Sequence, residues 1–481
     1  MANNCSYNEL MELYKDYCNT IDEIYKLSTC NEEEINKIYN DIKSKLIQTG
    51  LLSPDEVLQA VLYASYYNNR YNKSYLSICK KIYDENTEYI NIYENVLEKI
   101  TLRCSLMDVY EENTIYRAIM YDDLISLIKF TELEGFDKDQ KLKSRLFEPE
   151  PVSLLELCCY YGAVNCFKLL RTKFNLKITE ECLDFSFLSG KPDIISECLK
   201  KRMPDAISMK HAIISRNLDF ICFLNNEYNI EISYEFCSQF HNLQAFFIYL
   251  DQTKDINKCF VCSPCFGIPS LCEYFLSHGA DINANAFGFK TILHMSTICC
   301  KTKVVEALLT HGVEIDAKDC YQKTAVFYAI EREYNDIAEL LITHGADVNL
   351  FDIDNYAALH IAASKQNKSI VELLISHGAL INAQDESGFT PLHHATICFR
   401  IEIAEFLILN GADVNIKDKH GSTPLIYASN NSINVIAELL ISHGADVNTT
   451  DQYGRTPLHY SSIYHNDYLK ELLLHMEQIL I

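Results

Sequence analysis

The stretch from residue 385 to residue 395, Asp-Glu-Ser-Gly-Phe-Thr-Pro-Leu-His-His-Ala, decides the fold, because its central phrase Thr-Pro-Leu-His returns at a fixed interval. Related phrases recur every 33 residues and begin at Thr291, Thr324, Ala357, Thr390, Thr423 and Thr456. A second marker, His-Gly or once Asn-Gly, keeps the same interval and occurs at 278–279, 311–312, 344–345, 377–378, 410–411 and 443–444. Two markers that share one period through six units indicate a repeat architecture.

Each unit has the local chemistry of two short helices. Thr390 can cap the first helix with its hydroxyl, and Pro391 follows at the first helical position, where a missing N–H costs nothing. Gly345 can end the second helix in a left-handed conformation, and His344 can meet the free carbonyl groups of the last turn. Five residues after each phrase begins comes a small residue that lets helices approach closely: Ser296, Ala329, Ala362, Ala395, Ala428 and Ser461.

A 33-residue unit with the pattern T-P-L-H-x-A resembles the ankyrin-repeat family. The resemblance implies six repeats over residues 286–481, the last a truncated cap, with short β-hairpin fingers between the helix pairs. It also implies a structural role for the histidines of the phrase. The finger turn needs a positive φ, which Gly388 allows and which Gln322 and Phe289 adopt poorly. We therefore expect the first two fingers to be more irregular than the others.

Residues 106–285 continue the pattern in degraded form. Leucines of the second helix, from Leu170 to Leu276, recur at intervals shorter than 33 residues, which indicates helix pairs without fingers. Three phrases are similar to the domain of unknown function that precedes ankyrin repeats in a large protist family. They begin at Ser153 (Ser-Leu-Leu-Glu-Leu-Cys-Cys-Tyr-Tyr-Gly), Asn226 (Asn-Glu-Tyr-Asn-Ile-Glu-Ile) and Ile268 (Ile-Pro-Ser-Leu-Cys-Glu-Tyr-Phe-Leu-Ser-His-Gly). That domain implies no known activity.

Residues 1–105 are predicted to form helices. Apolar side chains at Leu10, Tyr14, Tyr17, Ile21 and Ile24 fall on one helical stripe. The stripe is too short for a lasting coiled coil, which favours a small helical bundle. The predicted fold is therefore an all-α solenoid in three parts: a helical N-terminal bundle at 1–105, degenerate ankyrin-like helix pairs at 106–285 and six ankyrin repeats at 286–481.

The composition limits the classes of partner. A net charge of −24 repels nucleic acids and anionic membranes, and it serves either plain solubility or a preference for basic partners. No stretch has about 18 uninterrupted apolar residues, and the first residues have no secretory pattern, so we expect a cytoplasmic protein that does not enter membranes. The 20 cysteines are then expected to be reduced.

The sequence contains only weak candidates for a metal site or a catalytic site. Cys259-x-x-Cys262-x-x-Cys265 has no second pair with which to complete a zinc site. The Asp-x-Asn strings, such as Asp347-Val348-Asn349, lack the other ligands of a calcium loop and fit turns. No nucleophile motif or phosphate-binding loop occurs. We predict no catalytic residue, no cofactor and no metal, and we interpret the chain as a binding protein and not an enzyme.

The predicted function is a scaffold that binds a partner protein on the concave face of the solenoid. The ankyrin resemblance puts partner contacts on the finger tips and on the end of the first helix. In this sequence those positions are Phe287, Lys318, Tyr321, Glu331, Arg332, Phe351, Ile353, Tyr356, Lys365, Phe389, His420, Tyr453 and Arg455. We expect the anchors in repeats two to six to be Tyr321, Tyr356, Phe389 and Tyr453.

Two alternatives remain open at this point. Neighbouring fingers can stack the same aromatic rings on one another, in which case the rings serve the fold and not a partner. The chain can also be a structural self-assembly module that forms homo-oligomers through the apolar stripe of residues 1–105.

Overall fold

Helices account for almost all of the regular structure. The structure, a computed structural model, describes residues 6–87, 92–106, 113–144, 146–147, 151–286 and 288–480. These residues contain thirty α-helices and only four strands of two residues each, which confirms the prediction of an all-α solenoid. The chain divides into two compact units, one with residues 1–259 and 265–279 and the other with residues 260–264 and 280–481.

The N-terminal unit begins with a group of longer helices followed by short helix pairs. Its helices are α1 (Tyr7–Leu13), α2 (Lys15–Tyr25), α3 (Glu32–Asp41), α4 (Pro54–Tyr67), α5 (Asn72–Asn86), α6 (Tyr93–Leu106), α7 (Ile115–Met120), α8 (Leu124–Thr131), α9 (Leu154–Tyr161), α10 (Val164–Phe174), α11 (Glu180–Ser189), α12 (Pro192–Leu199), α13 (Ala206–Ser215), α14 (Leu218–Tyr228), α15 (Tyr234–Gln239), α16 (Leu243–Thr253) and α18 (Pro269–Ser277). Helix α17 (Ile256–Cys262) contains the boundary between the units. A π-helix follows α3 at Ile42–Ile47, 3-10 turns lie at Asn69–Tyr71 and Ser263–Phe266, and strands β1 (Lys141–Leu142) and β2 (Val152–Ser153) pair antiparallel.

Caps fix several helix starts in this unit. The Ser53 hydroxyl accepts the backbone N–H of Glu56 at the start of α4, and the Glu56 carboxylate accepts the backbone N–H of Ser53. Ser153 and Glu156 make the same reciprocal pair at the start of α9. Such capping boxes satisfy N–H groups that have no partner within the helix.

The apolar stripe of the first two helices is covered by later helices of the same unit. Its five residues, from Leu10 to Ile24, are all buried. The Tyr17 hydroxyl lies 3.1 Å from Nδ1 of His241, and the buried Arg216 guanidinium pairs with the Asp22 carboxylate. The first two helices thus pack on later helices of the same unit, while the division into three parts remains a prediction.

The C-terminal unit is a row of helix pairs. Its helices are α19 (Ile292–Ile298), α20 (Thr302–Thr310), α21 (Ala325–Glu331), α22 (Asn335–Thr343), α23 (Ala358–Ser364), α24 (Lys368–Ser376), α25 (Pro391–Ile397), α26 (Ile401–Leu409), α27 (Pro424–Asn430), α28 (Asn434–Ser442), α29 (Pro457–Ile463) and α30 (Asp467–Leu480). Strands β3 (Asn285–Ala286) and β4 (Lys290–Thr291) pair antiparallel in the first finger. The six predicted small residues are all buried where successive first helices meet.

The helix ends follow the predicted chemistry. The His344 Nδ1 atom lies 2.7 Å from the Leu340 carbonyl oxygen four residues earlier, and His311, His377 and His443 make the same contact with their own helices. At the position without histidine, the Asn410 side-chain amide donates to the Phe406 carbonyl. Gly345 adopts φ of 92°, as predicted for a left-handed end. None of the helices in the described ranges is long and apolar enough to cross a membrane.

The fingers correct one prediction. Fingers two to six share one turn, in which an aspartate starts the turn and its carboxylate accepts two later backbone N–H groups; these aspartates are Asp319, Asp352, Asp385, Asp418 and Asp451. Gln322 adopts φ of 57° within this turn, so the second finger is regular and the expectation of irregularity was wrong there. The first finger does differ, because Ala286 stands where the others have aspartate.

Candidate partner-binding surface

The predicted contact residues occupy three kinds of position in the C-terminal unit. The first kind is the finger tip, which we define as Tyr321, Ile353, His420 and Tyr453. The second kind is the base of a finger, with Lys318, Phe351, Tyr356, Phe389 and Arg455. The third is the end of a first helix, with Glu331, Arg332 and Lys365. Phe287 lies outside the described residues.

The tip side chains point into solvent. Tyr321 is 55% exposed, Ile353 is 54% exposed and Tyr453 is 70% exposed. Each follows a buried aspartate by one or two residues in the turn, and the aspartate holds the backbone there. The backbone that carries these exposed apolar side chains is therefore held in place by hydrogen bonds.

Tyr356 and Phe389 are different, because both are half-buried against neighbouring rings. The Tyr356 ring centroid lies 5.3 Å from that of His394. The Phe389 centroid lies 5.6 Å from His394 and 5.5 Å from Tyr427 of the next repeat. These rings are tilted or edge-to-face and belong to the first helices α25 and α27, so they are not the stacking of neighbouring fingers on one another that the alternative described. The four predicted anchors are not equivalent.

Most polar members of the set are engaged within the unit. Arg455 lies over the Tyr453 ring at 4.5 Å and donates to the Asp451 carboxylate at 3.2 Å. Lys318 donates to the Phe351 carbonyl of the next finger. Lys365 pairs with Glu333 at 3.2 Å, Glu331 pairs with Lys323, and His420 Nδ1 lies 3.3 Å from Gln452 Oε1.

A row of buried aspartates lies behind the tips and was not predicted from the sequence. In fingers two, four, five and six the second carboxylate oxygen contacts a side chain nine residues later: Tyr328, His394, Tyr427 and Tyr460. The signal was in the sequence as an aspartate every 33 residues with a tyrosine or histidine nine residues after it. Finger three lacks this contact because Ile361 stands at that position.

The electrostatics of the row follow from these partners. Burial raises the pKa of Asp352 above its ordinary value of 3.8. Burial also acts on Asp319, but the Tyr328 hydroxyl and two backbone N–H groups outweigh it and hold the pKa of Asp319 below the ordinary value. Burial and, after it, the Asp319 carboxylate raise the pKa of Tyr328 above its ordinary value.

Consecutive fingers are joined by backbone hydrogen bonds at their tips. The Ile353 N–H donates to the Tyr321 carbonyl at 2.9 Å, and the Gln452 N–H donates to the His420 carbonyl at 2.7 Å. Equivalent bonds run from Cys320 to Gly288, from Glu386 to Asp354 and from Lys419 to Ser387. We call these five bonds the finger ladder. It fixes the spacing of the exposed side chains along the unit.

Two family models match the chain. The family described as "Ankyrin repeats (3 copies)" matches residues 260–352, 350–418 and 400–480. Residues 260–480 of the chain are ankyrin repeats. The ankyrin match starts ahead of residue 286, so it includes the phrase at Ile268, which was expected to belong to the preceding domain.

The family described as "Domain of unknown function (DUF3447)" matches residues 174–249, ahead of the ankyrin repeats. Of the three phrases compared with such a domain, only the one at Asn226 lies inside this match. A search of curated proteins finds no match. Ankyrin repeats are generally protein-interaction modules, and proteins built from them are typically not enzymes.

The histidines of the ankyrin phrase are structural, as the resemblance implied. His393 Nδ1 accepts the backbone N–H of Thr390 at 3.1 Å, and Nε2 lies 3.2 Å from the Ser422 carbonyl oxygen of the next repeat. His294 makes the corresponding contacts. His360 Nδ1 accepts the Ala357 N–H in the same way, but its Nε2 lies 2.9 Å from the Ala383 carbonyl oxygen, which is at a different position of the next repeat. Burial lowers the pKa of His393 to about 4, so the ring is neutral near pH 7.

The Asx residues at the ends of the ankyrin repeats also join repeats. Asn349 Oδ1 accepts the Leu380 N–H at 2.8 Å, and its amide donates to the Gly378 carbonyl at 3.0 Å. Asn382 and Asn415 repeat this arrangement. Their oxygen atoms are therefore used by backbone N–H groups, which agrees with a role in turns.

The cysteine string lies on helix α17 and the turn after it. Cys259 and Cys262 are buried, and Cys265 is half-buried. Among the described residues, no group of three or more His, Cys, Asp or Glu side chains is arranged to hold a metal ion. The absence of a metal and of a cofactor remains a prediction.

Proposed function

We propose that the ankyrin repeats bind an extended segment of a partner protein along the concave face of repeats two to six, with the exposed finger tips as anchors. The observation that carries this proposal is the exposure of Tyr321, Ile353 and Tyr453 on turns held by buried aspartates. An apolar ring left in solvent gains nothing for folding, and tyrosine is among the commonest interface anchors.

The rigidity of the tips supports the same proposal. The finger ladder and the aspartate turns fix the tip backbone before any partner arrives. Little conformational entropy is then lost when the partner binds. Tyr356 and Phe389 form a second row behind the tips, and their half-exposed edges are available to a segment that lies against the tips.

Binding, and not catalysis, is the proposed activity. Oligomerisation through residues 1–105 is less well supported, because the stripe that was expected to seek a partner is buried against helices of its own unit. A homo-oligomer through these helices would have to displace contacts such as that of Tyr17 with His241.

The test compares two full-length variants in a pull-down with quantitative mass spectrometry. The tip variant carries Tyr321→Ser, Ile353→Ser and Tyr453→Ser. The matched control changes equally exposed apolar residues that lie outside the fingers: Leu380→Ser, Leu409→Ser and Val435→Ser. Both variants should melt close to the parent, since exposed substitutions usually alter stability by less than about 0.5 kcal/mol each.

We expect the parent and the control to capture the same set of proteins and the tip variant to lose at least one member of it. Capture of the full set by the tip variant would show that the surface is misplaced. Direct binding of the lost protein to the purified parent, and its loss with the tip variant, would complete the test.

A further inference from the structure

The N-terminal unit contains a second candidate site, a cavity of about 350 Å³ that is distinct from the ankyrin surface. The carboxyl-terminal ends of five helices, α2, α4, α9, α11 and α13, meet around it. Its wall is formed by residues 25–28, 67–71, 160–161, 188–189 and 214–215, with Ala64. The volume lies in the range of natural small-molecule sites.

The charge of the wall differs from that of the rest of the protein. The chain has 66 acidic residues against 42 basic ones, yet the described wall of this cavity contains Lys26 and Arg70 and neither Asp nor Glu. Lys26 pairs with Asp22 at 3.0 Å. The Arg70 guanidinium donates to the Met120 carbonyl and has no carboxylate partner among the described residues. Its carbon atom lies 5.5 Å and 5.4 Å from the ring centroids of Tyr121 and Tyr161.

Three polar atoms of the wall are buried without a hydrogen-bond partner among the described residues. They are the Tyr25 hydroxyl, the Asn69 side-chain nitrogen and Arg70 Nε. Asn69 is fully buried, and its oxygen accepts the Tyr161 hydroxyl at 2.9 Å, which leaves the nitrogen as the free group. Burial raises the pKa of Tyr25, so its hydroxyl keeps its proton. All three atoms can donate, and an unmet donor in a buried site costs free energy that an acceptor would recover.

The carboxyl-terminal ends of the helices carry carbonyl groups, which need a hydrogen-bond donor. The last four carbonyl groups of a helix have no partner within that helix, and they give its end a partial negative charge. A ligand that fits this cavity therefore needs an acceptor group for Arg70, Asn69 and Tyr25 and a donor group for the carbonyl ends. A carboxylate beside an ammonium group meets both requirements, while tyrosine rings such as Tyr160 and Tyr161 provide a wall for an apolar side chain.

We propose that this cavity binds a free amino acid with an apolar or aromatic side chain. The carboxylate lies against Arg70 Nε, the Asn69 amide and the Tyr25 hydroxyl, and the ammonium group faces the carbonyl groups at the helix ends. A plain anion would leave the carbonyl ends unmet, and a plain cation would face Arg70.

Isothermal titration calorimetry of the full chain tests this with three probes of one shape: phenylalanine, 3-phenylpropionate, which lacks the ammonium group, and phenethylamine, which lacks the carboxylate. We expect phenylalanine to bind with a Kd of about 1 mM or tighter and each analogue to bind at least about tenfold more weakly, because each loses a charge-assisted contact.

Two variants locate the site. Tyr25→Phe removes only the hydroxyl and Arg70→Lys keeps the charge but removes Nε; each should weaken phenylalanine binding by about fivefold or more. Tyr39→Phe, a buried tyrosine on α3 outside the cavity wall, is the control and should bind like the parent. Because Tyr25→Phe removes an unmet buried group, it should melt no lower than the parent.

Three results would overturn the proposal: no heat of binding with phenylalanine at about 10 mM, equal binding of phenylalanine and either analogue, or unchanged affinity in both cavity variants. None of these results bears on the ankyrin surface, because the tip variant leaves the cavity intact.

Discussion

The Tyr328 hydroxyl donates to the Asp319 carboxylate at 2.5 Å, across nine residues of one ankyrin repeat. The contact joins the base of a finger to the first helix behind it. Because the same carboxylate also accepts the N–H groups of Tyr321 and Lys323, the hydroxyl helps to keep a buried charge in place.

Removal of this hydroxyl should alter the response to acid. The pKa of Asp319 lies below its ordinary value of 3.8, so its stabilisation is present above about pH 4 and is lost as the pH falls through the folded-state value. Tyr328→Phe should cost about 1–2 kcal/mol near neutral pH and flatten the loss of stability below about pH 4. Urea unfolding at pH 3 and pH 7 would measure both effects. An equal loss at the two pH values would show that the carboxylate does not depend on the hydroxyl.

In finger three a hydroxyl can be added beside the buried aspartate instead of being removed. Ile361 stands where the other regular fingers have a tyrosine or histidine, and burial raises the pKa of Asp352. A raised pKa favours the protonated form, so Asp352 detracts from stability as the pH rises through its folded-state value. Ile361→Tyr should lower the pKa of Asp352 and stabilise the protein by about 1 kcal/mol at pH 7. Ile361→Phe, which adds the ring alone, is the control, and an equal gain from Phe would assign the effect to packing.

Substitution of the exposed and of the half-buried aromatic residues of the fingers should have different effects on the free energy of unfolding. Tyr453 is largely exposed, so Tyr453→Ser should alter the free energy of unfolding by less than about 0.5 kcal/mol. Phe389 packs on His394 and Tyr427, so Phe389→Ser should cost about 2 kcal/mol. Thermal denaturation followed by circular dichroism would compare them. Similar melting temperatures for the two variants would contradict the distinction between tip and base.

Phe399 adopts a left-handed backbone conformation, which favours glycine. Its φ is 61° and its ring is 58% exposed, at the turn between α25 and α26. A bulky side chain pays about 1 kcal/mol or more for a left-handed conformation. Phe399→Gly should therefore raise stability by about 1 kcal/mol, measured by urea unfolding. Phe399→Ala is the control and should gain nothing, because alanine has the same Cβ; a loss of stability with glycine would mean that the ring contributes to packing.

The ion pair of Asp22 with Arg216 should be essential to the N-terminal unit. The Arg216 side chain is fully buried and also donates to the carbonyl groups of Phe240 and His241. Asp22→Ala leaves this charge without its carboxylate and should cost about 3 kcal/mol or more. Lys26→Ala, which removes the exposed second partner of Asp22, should cost less than about 0.5 kcal/mol. Equal melting temperatures for the two variants would contradict this account.

The repeat fold was predictable because each marker acts locally. Thr390 caps, Pro391 starts a helix and Gly345 ends one whatever their long-range neighbours are, so the 33-residue period gave the helix pairs directly. The regular second finger was missed because the expectation weighed only the φ preference of Gln322. The carboxylate of Asp319 holds that turn through two backbone N–H groups, and this outweighs the preference.

The details of the candidate sites were less accessible from sequence. Tyr356 and Tyr453 are both tyrosines of a finger, and their exposure differs because one precedes the first helix and the other stands at the tip. The cavity of the N-terminal unit brings Tyr25, Asn69 and Tyr161 together from distant parts of the chain, and no spacing in the sequence encodes that meeting. That the protein binds a partner protein could be predicted only from the resemblance to the ankyrin-repeat family.

The bonds of the finger ladder can report the order in which the ankyrin repeats come apart. Each of its five bonds takes its donor from the later finger and its acceptor from the earlier one, so the N–H of Gln452 reports on the sixth finger and that of Cys320 on the second. Amide hydrogen exchange at these positions measures when each finger parts from the one before it. A chain that unravels from its last repeat would release Gln452 first and Cys320 last, and a chain that opens in the middle would reverse part of that order.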